Sequence, residues 1–134
     1  MVLRRIVRPA LMGALLVGGI GGASAQRPGV PAALAGLESG QWELKAPEGE
    51  TRKICLGSRA ALIQLLHPNL QCDHVLMDNS PRSATIRYTC TGHGNGRTVI
   101  STETPRLISI QTQGVIDGAP FAAEFEGRRV GACN

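Results

Sequence analysis

From Ser83 onward this chain alternates. In "SATIRYTC" (Ser83 to Cys90), Ala84, Ile86, Tyr88 and Cys90 fall on one side, and Thr85, Arg87 and Thr89 on the other. A period of two is the pattern of a strand with one buried face. It constrains the fold strongly, because a slip of one residue would turn every apolar side chain to water. The same alternation recurs in "RLISIQTQGVI" (Arg106 to Ile116), where Ile108 and Ile110 share a face. "DHVLMD" (Asp73 to Asp78), "GRTVISTE" and "FAAEFEGRRV" (Phe121 to Val130) read as further strands. Between them stand turn formers: "NSPR", the glycines of "TCTGHGNGRT" (Thr89 to Thr98), Pro105 and "DGAP". Upstream, "QWELKA" (Gln41 to Ala46) sets Trp42 and Leu44 against Glu43 and Lys45, "PEGE" turns, and "TRKICL" (Thr51 to Leu56) returns as the second arm of a hairpin. Six or seven short strands with close turns predict a mainly β fold, an antiparallel meander that is curved or half-barrel-like.

One segment breaks this rhythm. Ser58 is an N-cap candidate, Leu62, Leu65 and Leu66 recur at helical spacing, and Pro68 ends the run. A helix of roughly 8–10 residues is expected, too short to stand alone and so packed by its leucines on the sheet.

The first residues follow another logic. Arg4, Arg5 and Arg8 precede the apolar run Ala10 to Gly22, and Ala23 and Ala25 occupy the small positions of an A-x-A cleavage site. Residues 1–25 thus read as a secretory signal peptide cleaved after Ala25, and the apolar run is shorter than the ~20 residues a bilayer span needs. The expected location is periplasmic or secreted, with no stable membrane span after cleavage. Residues 26–36, "QRPGVPAALAG", read as a flexible leader. A single β-rich domain is expected over 37–134.

Cleavage changes the charge. The whole chain carries a net +4, but three of its cations are Arg4, Arg5 and Arg8, and without them eleven cations face ten anions. A near-neutral domain lacks the basic stripe of a nucleic-acid binder, so no nucleic-acid partner is expected. Aromatics are few after residue 25: Trp42, Tyr88, Phe121 and Phe125. A thin aliphatic core in an oxidising compartment calls for covalent support, and Cys55, Cys72, Cys90 and Cys133 can supply two disulfides. The expected pairing is Cys55 with Cys72, stapling the helix to the sheet, and Cys90 with Cys133, anchoring the C-terminus.

Catalytic motifs are absent. The glycines of "TCTGHGNGRT" lie between two strands, not before a helix, so they suit a hairpin and not a phosphate loop. His93 is then an exposed residue at its tip. Cys72, His74, Cys90 and His93 offer soft ligands, but no paired C-x-x-C motif accompanies them. Ser58 lacks the G-x-S-x-G elbow of a hydrolase. No catalytic, cofactor-binding or metal-binding residue is assigned, and no cofactor is expected.

Taken together, "GQWE" (Gly40 to Glu43), "KICLG" (Lys53 to Gly57), Cys72 after a short helix, "YTCTG" (Tyr88 to Gly92) and Cys133 resemble the family of short exported bacterial proteins known as domain of unknown function 3617. The resemblance runs from about Leu37 to Cys133. It implies a periplasmic β-rich domain and carries over no catalytic residue. The expected function is non-enzymatic binding of a small apolar ligand or of a partner protein of the envelope. Two alternatives stand beside it: an envelope enzyme or enzyme accessory, and a structural or stress-related envelope protein. A binding module should show an apolar concavity; an enzyme should converge His67 or His74 with Asp73 and Ser58 in a cleft.

Overall fold

The computed structural model describes residues 29–134. The signal peptide expected over residues 1–25 lies outside them. Seven strands form one antiparallel sheet: β1 (Gly40–Lys45), β2 (Thr51–Leu56), β3 (Asp73–Asn79), β4 (Ser83–Cys90), β5 (Gly94–Thr104), β6 (Leu107–Ile116) and β7 (Ala119–Gly131). Two single-turn helices accompany them, α1 (Ala32–Ala35) and α2 (Ala60–Ile63). The expected mainly β antiparallel class is thus what the chain adopts.

The strand order is β2-β1-β7-β6-β5-β4-β3. From β3 to β7 the chain is a plain meander. The N-terminal hairpin then docks on β7, with Glu43 opposite Arg128 and Leu44 opposite Gly127. Strands consecutive in sequence, β2 and β3, consequently end at opposite edges of the sheet. The intervening residues must cross one of its faces, and they cover the apolar one.

That face carries the core. Trp42 and Leu44 from β1, Ile86 and Tyr88 from β4, and Ile100, Ile108 and Ile110 from β5 and β6 are buried, as the alternation requires. Leu62 and Ile63 of the crossover close over them. The indole N–H of Trp42 donates to the Glu38 carbonyl at 3.0 Å, so its one polar atom is satisfied.

Four expectations need correction. Residues 29–36 are not a loose leader: Ala33 and Leu34 are buried, as is Leu37. The Ala32 N–H donates to Asn79 Oδ1 at 2.9 Å, and the Thr102 hydroxyl donates to the Ala33 carbonyl at 2.6 Å. One turn of helix has too few residues to show a periodicity, yet Leu34 and Leu37 suffice to seat it.

The helix after Ser58 is one turn, not two or three. In a longer helix the Ile63 carbonyl would accept from the His67 N–H. Here the buried Thr98 hydroxyl takes that carbonyl at 2.6 Å, and the His67 N–H turns to Gln64 O at 2.9 Å. Leu62 is fully buried, whereas Leu65 and Leu66 are only half-buried.

The disulfides are Cys55–Cys133 and Cys72–Cys90, not the expected Cys55–Cys72 and Cys90–Cys133. Pairing of Asp73 with Thr89 brings Cys72 alongside Cys90. Gln41 of β1 lies between Cys55 and Gly131, so the chain beyond β7 reaches β2. Each bond therefore pins one edge strand: β2 to the C-terminus, and β3 to β4. Edges are where a sheet is most easily pulled apart or mispaired. In the chain-entropy account the larger loop is worth ~4–5 kcal/mol and the smaller ~3 kcal/mol.

"TCTGHGNGRT" does form a hairpin, with a different tip. Cys90 pairs with Gly94, leaving Thr91, Gly92 and His93 as the turn, and Gly92 has φ +81°. β5 begins at Gly94, two residues before the strand read from Gly96, so Asn95 lies in it and not in the turn. Gly96 sits under the Tyr88 ring, where a Cβ would come within 2.5 Å of the ring carbons.

Candidate functional site

A seven-stranded sheet laid flat would separate its edges by roughly 30 Å, from ~4.8 Å per strand. Here the two edges border the same space. Ile54 of β2 and His74 of β3 line one groove of about 470 Å³, together with Ala60, Ala61, Leu65 and Leu70 of the crossover. The sheet is thus open but curved, and the crossover forms the wall between its edges.

The polar part of this wall is built from Gln64. Its amide nitrogen donates to two backbone carbonyls, His67 O at 2.9 Å and Leu70 O at 2.8 Å. Both N–H groups are then used, which leaves Oε1 as an acceptor facing His74 Nε2 at 2.9 Å. His74 must therefore carry its proton on Nε2. In that tautomer Nδ1 is a lone-pair acceptor, with no partner among the described residues. Burial lowers the His74 pKa below the ordinary imidazole value, and neighbouring Asp73 offsets part of that shift. The neutral ring is thus favoured.

Behind the groove lies a second polar chain, closed to solvent. His67 is 2 % exposed and Tyr88 0 %. His67 Nε2 faces the His93 carbonyl at 3.2 Å, so it holds the proton, and the Tyr88 hydroxyl donates to Nδ1 at 3.0 Å. Burial raises the Tyr88 pKa, and the neighbouring Thr112 side chain opposes part of that shift. Thr112 in turn meets Thr98 at 2.9 Å. This network fastens the crossover to the sheet from Ile63 to His67.

The hydrolase arrangement does not assemble. Ser58 Oγ accepts from the Ala60 N–H at 3.3 Å. Asp73 precedes His74 on β3 and points to the opposite face of the strand, where it is exposed. His67 and His74 each answer to a different partner, Tyr88 and Gln64. Cys72 and Cys90 are oxidised to each other, so they offer no thiolate to His74 or His93. His93 is exposed at the hairpin turn, 3.8 Å from the Asp117 carboxylate.

Of the residues that organise the groove, the sequence singles out His74 as a candidate ligand or base, and not Gln64. Gln64 had one legible signal, a lone amide inside the apolar run "AALIQLL". A buried amide has to be satisfied, and this one holds the loop that ends the helix.

Set against protein-family models, characterised proteins and solved structures, the chain matches none. Among the described residues no helix is long and apolar enough to cross a membrane. Two intramolecular disulfides are the chemistry of an oxidising, extracytoplasmic compartment.

Proposed function

We propose that this is an exported periplasmic protein of the domain of unknown function 3617 kind, and that it binds a small, largely apolar ligand without transforming it. The observation that carries the reading is the groove between the sheet edges. Its volume of about 470 Å³ falls within the ~300–1,000 Å³ usual for small-ligand sites, and its walls are mainly aliphatic. Gln64 and His74 supply the few fixed polar atoms that orient a ligand. His74 Nδ1 would accept from a hydroxyl or N–H on an otherwise apolar body.

A second reading, docking of a partner protein, is favoured by one observation. Val75 and Met77 on edge strand β3 are 57 % and 51 % exposed.

The groove is tested by titrating the neutral fluorophore N-phenyl-1-naphthylamine. Wild type should give saturable enhancement. Ala61→Phe, which fills the groove, should abolish it, and Ala122→Phe, on the outer face, should not. Equal binding by both variants would rule the groove out. Export is tested by mass spectrometry of periplasmic material, which should find Gln26 at the N-terminus.

A further inference from the structure

The outer face of the sheet arranges its charges in register, with one exception. Four cross-strand pairings set a charged residue directly against another. Three join opposite signs: Glu43 with Lys53, Glu43 with Arg128, and Lys45 with Glu126. The fourth is Arg87 of β4 against Arg97 of β5.

Like charges directly opposite one another on a sheet are destabilising. Neither arginine has an acid directly opposite it. Arg87 has Val75 on its other side, and Arg97 has Gln113. Four ion pairs form among the described residues, and neither arginine belongs to any of them. Of the carboxylates on that face, Asp73 and Asp78 stand opposite Thr89 and Thr85, and Glu124, opposite Gln111, borders a neighbouring cleft with Arg97 without forming an ion pair with it.

Both arginines line one cleft of about 370 Å³, with the amides of Asn95 and Gln113 beside them. Two guanidinium forks and two amide donors, with no acid among them, form a surface for a doubly charged oxyanion. Arginine forks match phosphate oxygens in pairs, and two such cations balance a dianion.

We propose that Arg87 and Arg97 jointly hold a phosphate group on the outer face of the sheet, independently of the groove between the sheet edges. The bound dianion would convert the one repulsive pair on the sheet into a bridged one. The phosphate could belong to a soluble phosphorylated molecule or to a lipid headgroup, since the chemistry offered is the same.

The test is calorimetric titration of the folded protein with inorganic phosphate, at ionic strength held constant with chloride. Wild type should bind one equivalent saturably. Arg87→Gln and Arg97→Gln should each weaken binding by roughly tenfold or more, the loss expected for a charge-assisted pair. Their urea midpoints should equal or exceed that of wild type, because repulsion is removed, and this separates lost binding from lost folding. The variants should still bind N-phenyl-1-naphthylamine as wild type does. Sedimentation with phosphatidic acid vesicles then distinguishes the sources: arginine-dependent co-sedimentation assigns a headgroup, and its absence beside phosphate binding assigns a soluble ligand. Absence of saturable phosphate binding in wild type, or equal binding by the Arg87→Gln/Arg97→Gln double variant, would overturn the proposal.

Discussion

Tyr88 shows how much one side chain can settle. Its ring fills the inward face of β4 and rests on Gly96, which has no Cβ to obstruct it. Its hydroxyl supplies the proton that His67 Nδ1 needs. Tyr88→Phe keeps the ring and removes that donor, leaving a buried acceptor unpaired. A loss of about 1–3 kcal/mol is expected in urea denaturation, and a cost near zero would show that the Tyr88–His67 hydrogen bond is not formed. His74 makes a pH prediction. Its pKa is lowered in the fold, so the unfolded chain takes up a proton before the folded one does. Stability should therefore fall as pH drops below the ordinary imidazole value of 6.5, and the penalty should level off once pH is below the folded pKa. Subtracting a His74→Gln variant isolates this contribution from the other titrating groups. A wild-type minus variant difference that does not change between pH 8 and 5 would contradict the burial argument.

Among the elements, α2 departs most from its sequence pattern. Leu62, Leu65 and Leu66 recur at helical spacing, yet the helix closes at Ile63 because a threonine 35 residues away takes its carbonyl. No local pattern contains that information. The expected leucine face consequently splits. Leu62→Ala should cost roughly 2–5 kcal/mol, the usual penalty for a fully buried leucine, and Leu65→Ala clearly less. Equal urea midpoints for the two would restore the longer helix. Where an element depends on alternation alone, the sequence sufficed. The bounds read for β4 and the inward set Ala84, Ile86, Tyr88 and Cys90 are those found. α1 was missed because one turn is shorter than any period. In the groove, His74 is legible only as a candidate metal ligand or catalytic base, and Gln64 as neither. Their pairing depends on where the crossover runs.

At the scale of the whole molecule, the decisive contact is β1 on β7. It joins the first strand to the last and sends β2 and β3 to opposite edges. Neither strand's pattern names its neighbour, so sequence distance misled: Cys55 and Cys72 are close in the chain and lie on opposite edges of the sheet. Each edge is pinned by a disulfide, and between the edges lies the groove proposed to hold a ligand. The groove is a consequence of this strand order, and non-reducing tryptic mapping tests that order directly. Cleavage after Lys53, Arg59, Arg82, Arg87, Arg97 and Arg129 places the four cysteines in four separate peptides. The strand order predicts that Ile54–Arg59 is linked to Val130–Asn134, and Ala60–Arg82 to Tyr88–Arg97. Linkage of Ile54–Arg59 to Ala60–Arg82 would contradict it, because that order sets Cys55 beside the chain beyond β7 and Cys72 beside Cys90.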